Sequence, residues 1–259
     1  MRVIILAAGE GKRLRPYTDD KPKCMVELAG NSLLSYQLST IKECNISSDK
    51  VALVGGYQSK ALDKFNLNKF ENVNFSHTNM VSTLFCAQEF MQHDEDLIIS
   101  YGDIVYEENV LKALLSCENE VCVSADIKWE SLWRLRMTNP LEDAETFIID
   151  DKFFIKELGK KPISFSQVHA QYMGLIKIRA DKIAEFIDVY QNMNRDITYD
   201  GQNFDNMYMT SFIQHLINIG WKVKATLVES GWLEVDTVDD LECFNQMSKE
   251  GTLDSLCRL

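Results

Sequence analysis

The apolar residues of this chain fall into short unbroken runs that alternate with segments of helical spacing. Runs at 3–6, 51–54 and 97–100 are typical of strands buried on both faces of a parallel sheet. Further strands are predicted at 73–75 (the weakest), 120–126, 223–228 and 232–236. Because strands and helical segments alternate, we expect an α/β fold.

Between these runs, apolar residues recur at the period of an amphipathic helix. Leu34, Leu38 and Ile41 follow this spacing, and Asn31 is the expected cap of their helix. Helices are also predicted from about 78 to 91, at 107–116, around 183–190 and at 205–219. The last helix is expected to begin with a capping box, Thr237 to Asp240.

The pattern changes between residues 128 and 178, where aromatic residues and alternating segments predict antiparallel strands. We place these at 133–137, 146–149, 153–158 and 172–178. No repeat, low-complexity tract or linker divides the chain. The sequence therefore predicts one domain, 1–259, with a Rossmann-like three-layer fold. Its central sheet should be mixed and mostly parallel, with a small antiparallel β insertion at about 128–178.

A glycine turn and a stiff cationic loop follow the first predicted strand. Gly9 and Gly11 allow a close approach of backbone N–H groups to a ligand. The loop contains Pro16, Pro22 and five cations, namely Lys12, Arg13, Arg15, Lys21 and Lys23. A strand, a glycine turn and clustered cations predict a polyphosphate site. The alternative is a solvated surface loop.

Two common phosphate-binding motifs do not fit this loop. A P-loop requires glycine where this chain has Leu6, and Ser or Thr where it has Arg13. A dinucleotide-binding fingerprint requires a third glycine where Leu14 stands, followed directly by a helix. An NAD-binding oxidoreductase is therefore disfavoured.

Charge and composition narrow the class of partner. With 27 basic and 39 acidic residues, the net charge is −12, which disfavours nucleic acids and anionic membranes. We expect no signal peptide and no membrane span. The seven cysteines contain no C-x-x-C pair and indicate neither a disulfide framework nor a zinc site. The simplest expectation is a cytoplasmic protein.

The loop motif resembles the signature of the nucleotidyltransferases that make sugar nucleotides and CDP-alcohols. The matching residues are Leu6-Ala7-Ala8-Gly9-x-Gly11-x-Arg13-Leu14-x-Pro16-x-Thr18 and Lys21-Pro22-Lys23. Lys12 departs from the usual Ser or Thr of that family. Segments 78–84 and 204–207 are most similar to the phosphocholine-type cytidylyltransferase branch. The resemblance implies condensation of an NTP, here CTP, with a small phosphorylated acceptor, and release of pyrophosphate.

Position and resemblance together suggest roles for individual residues. Lys23 and Arg13 are the expected catalytic cations, and Asp103 and Asp236, each just after an apolar strand, are the expected Mg²⁺ ligands. The nucleotide is expected to contact Leu6, Ala7, Ala8, Gly9, Gly11, Lys12, Gly56, Asn79 and Ser82. Residues expected to bind the acceptor are Lys156, Lys160, Tyr172 and Asp205. Both lysines are also compatible with ordinary solvated positions.

Several alternatives remain open at this point. Trp129, Trp133, Tyr172 and Trp232 are compatible with a cage for a quaternary ammonium or with ordinary core packing. The nucleotide is alternatively UTP or dTTP, with a sugar 1-phosphate as acceptor. A non-catalytic regulatory subunit is a further alternative, although such a relative should have lost Lys23, Asp103 or Asp236. Assembly into a homo-oligomer is also compatible with the sequence.

Overall fold

The computed structural model describes residues 1–259, and strands and helices alternate along most of the chain. The strands are β1 (Arg2–Ala7), β2 (Glu27–Leu28), β3 (Asn31–Ser32), β4 (Val51–Gly55), β5 (Asn68–Glu71), β6 (Leu97–Tyr101), β7 (Ile104–Tyr106), β8 (Val121–Asp126), β9 (Phe147–Ile149), β10 (Ile155–Leu158), β11 (Gln171–Ile178), β12 (Val223–Val228) and β13 (Trp232–Glu234). The α-helices are α1 (Leu33–Glu43), α2 (Met80–Phe85), α3 (Glu108–Leu115), α4 (Trp129–Arg136), α5 (Ile183–Asn192), α6 (Met209–Asn218) and α7 (Val238–Glu250). None of these helices is long and apolar enough to cross a membrane.

Seven of the strands form one central sheet in the order β12-β8-β11-β6-β1-β4-β5. Only β11 runs antiparallel to its neighbours, β6 and β8. The other pairs, β1 with β4 and β6, β4 with β5, and β8 with β12, are parallel. Three two-stranded antiparallel sheets, β2–β3, β7–β13 and β9–β10, surround the central sheet. The predicted mixed, mostly parallel α/β fold is confirmed.

Each face of the sheet has its own apolar core, which produces three layers. Alternate residues of a strand point to opposite faces, so Val3 and Ile5 pack into one core and Ile4 and Leu6 into the other. Helices α1, α3, α4 and α7 contribute to the first core, and α2, α5 and α6 contribute to the second. Burial on both faces explains why the sheet strands are unbroken apolar runs rather than alternating ones.

The parallel arrangement brings three loops to the same edge of the sheet. Strands β4, β1 and β6 lie side by side, and their carboxyl ends are Gly55, Ala7 and Tyr101. The edge at the carboxyl ends of parallel strands is where ligands bind in open α/β sheets. The glycine loop after β1 and Asp103 after β6 therefore lie at one edge.

The segment 128–178 differs in one element from the prediction. It contains the β9–β10 sheet and β11, but the predicted strand at 133–137 is wrong, because residues 129–136 form helix α4. Trp129, Leu132 and Trp133 are buried at positions i, i+3 and i+4, a spacing that fits one face of a helix. The spacing of Trp129 and Trp133 in this segment therefore belongs to a helix and not to the alternation of a strand.

Three smaller expectations are also corrected. The strand expected at 73–75 lies earlier, at β5, because Asn72 turns the chain by donating hydrogen bonds to Thr78 Oγ1 and Thr83 Oγ1, each at 2.9 Å. The cap of α1 is Ser32 rather than Asn31, and its Oγ accepts from the Ser35 N–H at 3.2 Å. Cys117 and Cys122, expected to be unpaired, form a disulfide.

A buried arginine connects α4 to the strand and helix that end the fold. The Arg136 side chain donates to Asp240 Oδ1 at 2.9 Å and to Glu234 Oε2 at 2.8 Å, and only 4% of it is exposed. Asp240 in turn accepts from the backbone N–H groups of Asp236 at 3.0 Å and Thr237 at 2.9 Å, which completes the predicted capping box. Burial alone would lower the pKa of Arg136, but the two carboxylates raise it.

This network generates a prediction about stability. We expect Arg136→Ala to lower the free energy of unfolding by about 3 kcal/mol, because it leaves the buried carboxylate of Asp240 and the partly buried one of Glu234 without their cation. Arg134→Ala is the matched control: Arg134 lies on the exposed side of α4 with Glu130, and its loss should cost about 0.5 kcal/mol or less. Urea unfolding followed by circular dichroism measures both values. Equal effects of the two substitutions would contradict the role given to Arg136.

Candidate active site

The site is centred on one lysine that is held between two aspartates. Lys23 Nζ donates to Asp103 Oδ2 and to Asp236 Oδ1, each at 2.6 Å. All three side chains are largely buried, with 14%, 19% and 15% of their surface exposed. Because these residues are far apart in the chain, the contact joins the glycine loop to two different strand ends.

The pairing of two short strands explains why the aspartates meet. In the two-stranded antiparallel sheet β7–β13, Ile104 pairs with Glu234. The Val235 N–H donates to the Asp103 carbonyl at 3.0 Å. Asp103 immediately precedes β7, and Val235 alone separates Asp236 from the end of β13. Antiparallel pairing therefore brings both carboxylates to the same end of this sheet.

Electrostatics favour the charged forms of Lys23 and Asp236. Burial alone would lower the pKa of Lys23, but Asp103 and Asp236 raise it above its ordinary value. Burial alone would also raise the pKa of Asp236, but Lys23 and Arg13 hold it below the usual range. Arg13 reaches the other carboxylate oxygen of Asp236 with a mostly exposed guanidinium. The predicted catalytic cations and predicted metal ligands are therefore all in one cluster.

The two aspartates fit a hard divalent cation that is held partly by substrate. No group of three or more His, Cys, Asp or Glu side chains is placed to hold a metal by itself. Mg²⁺ needs only one or two carboxylates when phosphates and water complete its shell. Asp103 Oδ1 is buried without any hydrogen-bond partner, while Oδ2 of the same carboxylate holds Lys23. That oxygen is the one suited to a cation ligand.

A first cavity, of about 150 Å³, lies between the glycine loop and α2 and extends to Lys23 and Asp103. Glycine is required at two positions in these loops, Gly102 in the cavity wall and Gly56 in the loop after β4. A Cβ at Gly102 would stand 2.5 Å from the Leu6 carbonyl oxygen, and one at Gly56 would stand 2.9 Å from Ala8 Cβ. The loops after β1, β4 and β6 are thus packed closely enough to form one continuous wall.

The predicted nucleotide residues divide into two groups at this cavity. Its lining includes Leu6, Ala7, Ala8, Gly9 and Asn79. The remaining four, which are Gly11, Lys12, Gly56 and Ser82, are not part of that lining. The sequence prediction gave no individual binding role to Phe75, Thr78, Met80, Thr83 or Tyr101, which also line the cavity. They come from the turn after β5, from α2 and from the end of β6.

Asn79 and Asp205, two of the predicted binding residues, form hydrogen bonds within the protein that connect α2 to residues 205 and 206. Asn79 Oδ1 accepts from the Met80 N–H at 2.8 Å and so caps α2, while its Nδ2 donates to the Asn206 carbonyl at 3.3 Å. The Asp205 carbonyl accepts from the Asn79 N–H and from Ser82 Oγ, each at 2.9 Å. The amide of Asn79 is therefore held in one orientation, and the exposed side chain of Asp205 lines neither this cavity nor the second one.

A second cavity, of about 180 Å³, opens on the other side of the cluster and shares Arg13 and Asp236 with it. Tyr172, a predicted acceptor residue, lies in its wall together with Trp133 and Trp232. Its polar lining also includes Asp143, Glu145, Gln171, Tyr208, Thr210 and Glu234, which the sequence prediction did not assign. Only Glu234 stands within a recognisable motif, so no local signal marked the others.

Three further predicted residues also lie outside both cavities. Lys156 Nζ pairs with Asp150 at 2.8 Å, and Lys160 Nζ pairs with Glu157 at 2.6 Å, both on the β9–β10 side of the molecule. Trp129 stacks on Phe165 with 6.0 Å between ring centroids. The structure does not bring these side chains to the Lys23 cluster.

Comparison with known proteins places this arrangement in a family. Residues 3–145 match the MobA-like NTP transferase domain. The CTP:phosphoglutamine cytidylyltransferase of Campylobacter jejuni is 42% identical over 252 residues, which cover 93% of this chain and 98% of that protein.

Solved structures agree with this chain in fold. The inositol-1-phosphate CTP transferase from T. maritima superposes with a TM-score of 0.73 at 18% identity, covering 100% of this chain and 98% of that one. The CTP:phosphocholine cytidylyltransferase from Streptococcus pneumoniae gives 0.68 at 19% identity, with 95% and 98% covered. The resemblance seen in the loop motif is confirmed: the chain belongs to the MobA-like NTP transferase domain family and is a nucleotidyltransferase.

Proposed function

We propose that this enzyme is a cytidylyltransferase that joins CTP to a small phosphorylated acceptor of the phosphorylated-amide type and releases pyrophosphate. The observation that carries the proposal is the Lys23–Asp103–Asp236 cluster, which stands where two cavities meet. The similarity to a CTP:phosphoglutamine cytidylyltransferase over almost the whole chain supports both the nucleotide and the acceptor class.

In this reaction an acceptor phosphate oxygen attacks the α-phosphorus of CTP. A new P–O–P bond forms, and the bond from the α-phosphorus to the bridging oxygen of the β-phosphate breaks, with both electrons leaving on pyrophosphate. Two anions must approach each other for this to occur. The protein therefore has to hold the reactants in line and to place positive charge where the negative charge accumulates.

The cations of the cluster are suited to that task. Lys23 is fixed by two hydrogen bonds and stands at the boundary of the first cavity, so its ammonium is positioned to stabilise the α-phosphate and the incoming oxygen. Arg13, exposed at the mouth of the second cavity, is placed to hold the leaving phosphates. Backbone N–H groups of the loop after β1 offer further hydrogen bonds to phosphate.

Asp103 and Asp236 are the residues that would hold Mg²⁺ in this enzyme. When bound, the ion supplies charge neutralisation at the phosphate oxygens. In the chain itself the same carboxylates orient the Lys23 ammonium.

The choice of base is assigned to the first cavity. Cytosine and uracil have the same size, so discrimination requires a hydrogen-bond acceptor that faces the cytosine amino group. Candidates are the carbonyls of residues 7–9 and the Asn79 side chain, which the α2 cap holds in one orientation. A fixed acceptor meets the uracil O4 lone pair to lone pair, which leaves both groups unpaired.

The role of Lys23 is tested by its removal. Lys23→Ala should lower kcat/KM by at least about a hundredfold, the scale expected for one charged transition-state contact. Lys112→Ala, which removes an exposed lysine of α3, is the charge-matched control and should change nothing. Steady-state pyrophosphate release measures both, with circular dichroism as a check on folding. A Lys23→Ala enzyme within threefold of the wild type would remove Lys23 from the mechanism.

The two aspartates are tested by isosteric substitution. Asp103→Asn and Asp236→Asn should each abolish turnover at ordinary Mg²⁺, because each removes a charged oxygen ligand from a hard cation. Excess Mn²⁺ is expected to restore part of the activity of one of them. Asp239→Asn, in the first turn of α7, is the control and should remain active. If Asp236→Asn lowers only the melting temperature, then Asp236 serves the start of α7 rather than catalysis.

The nucleotide and the acceptor class are tested together. CTP should be preferred over UTP by about tenfold or more in kcat/KM, on the order of one good hydrogen bond. The assay measures pyrophosphate release from each NTP with phosphorylated glutamine, phosphocholine or a hexose 1-phosphate, followed by direct competition of CTP with UTP. Equal use of the two nucleotides, or preference for dTTP with the hexose 1-phosphate, would reject the cytidylyltransferase assignment.

A further inference from the structure

The second cavity contains polar atoms that no residue of the chain satisfies. Gln171 and Tyr172 are more than nine-tenths buried, with 7% and 8% of their surface exposed, and both lie in the cavity wall. Gln171 Oε1 and Tyr172 Oη have no hydrogen-bond partner. A buried polar atom without a partner is unfavourable, and one that faces a cavity is available to a ligand, an ion or an ordered water. Both are able to accept a hydrogen bond.

The charges of the same wall favour a cation. Asp143, Glu145 and Glu234 line the cavity, and the only basic side chain in the lining is Arg13, which is paired with Asp236. Trp133 Nε1 donates to Asp143, and Arg136 neutralises Glu234. Glu145, by contrast, forms no salt bridge. Burial raises its pKa to about 7, with a smaller contribution from the neighbouring carboxylates, while a hydrogen bond with Thr210 acts in the opposite direction. A bound cation would offset both of the effects that raise it.

The wall of the second cavity is less suited to a quaternary ammonium than to a primary one. One face of Trp133 already carries the Arg136 guanidinium, 4.8 Å from the ring centroid. Trp129 does not reach the cavity. A quaternary ammonium also has no N–H group, so it would leave Gln171 and Tyr172 unpaired. A primary ammonium has three donors, and Glu145, Gln171 and Tyr172 offer acceptors for them.

We propose that Glu145, together with Gln171 and Tyr172, binds a primary ammonium group of the acceptor and makes the enzyme selective for phosphorylated amino compounds. This inference rests on the proposed function, because it takes the second cavity to be the acceptor site. The ammonium group that Glu145 would bind is a part of the acceptor that lies away from its phosphate. A sugar phosphate has no cation to offer Glu145, and a trimethylated amine cannot donate to it.

The experiment compares three acceptors that differ at one group. They are side-chain-phosphorylated L-glutamine, the same compound with hydrogen in place of the α-amino group, and the same compound with a trimethylated α-amino group. With the wild-type enzyme, kcat/KM should be at least about tenfold higher for the first compound than for either other one, the effect of one charge-assisted hydrogen bond. The difference should lie mainly in KM.

Glu145→Gln should remove this preference. It keeps the shape of the side chain but not its charge, so the three acceptors should be used within about threefold of one another. Its kcat/KM for the compound with the amino group should fall by at least about tenfold, toward the value for the compound without it. Circular dichroism checks that the variant is folded. Glu142→Gln, at an exposed position three residues earlier, is the matched control and should retain the full preference.

Titration calorimetry with the same three compounds in the absence of nucleotide gives a readout that does not depend on turnover. If the enzyme is found to use UTP instead of CTP, the proposed nucleotide is wrong. A loss of ammonium selectivity in Glu145→Gln would then still support the ammonium site. A wild-type enzyme that neither binds nor uses the amino compound in preference to the others would overturn the proposal. So would a Glu145→Gln variant that keeps the preference.

Discussion

The contact between one ammonium group and two carboxylates is the constraint on which the rest of this site depends. Lys23 lies 80 residues from Asp103 and 213 residues from Asp236 in the chain, yet one Nζ atom bonds to both. Two carboxylates that share one ammonium in a partly buried site are stable only while all three charged groups are present. The cluster therefore fixes the glycine loop, the end of β6 and the end of β13 relative to one another, and it places charge at the junction of the two cavities.

The elements behind this cluster make its geometry rigid. Asp240 accepts hydrogen bonds from the backbone of Asp236 and Thr237, and Arg136 holds Asp240 from the opposite side. The position of Asp236 is thus set by a helix cap and by a buried ion pair, rather than by a free loop. Functional groups carried on strand ends and helix caps keep their geometry better than groups on long loops. The stability of α4 and the position of a site residue are consequently linked through one arginine.

The two cavities differ in chemistry, and this difference matches the two substrates that we propose. The first cavity is formed by close-packed backbone turns after three parallel strands, with a fixed asparagine amide at α2. Such a wall suits a base read by backbone groups and a chain of phosphates. The second cavity is acidic and contains unpaired buried acceptors. Such a wall suits a small cationic molecule whose own phosphate is directed toward Lys23.

The sequence by itself determined the features that depend on local pattern. Apolar runs predicted the buried strands β1, β4 and β6, and the motif around Gly9 and Lys23 identified the phosphate loop and the family. It could not predict the β7–β13 pairing that joins Asp103 to Asp236, although resemblance named both residues. It also misread α4, and it carried no signal that Glu145 would line the second cavity. Periodicity and spacing report neighbours along the chain, whereas a cavity is formed by residues from distant elements. Which polar side chains are buried there, and which lack a partner, is decided only when strand order and register bring those elements together.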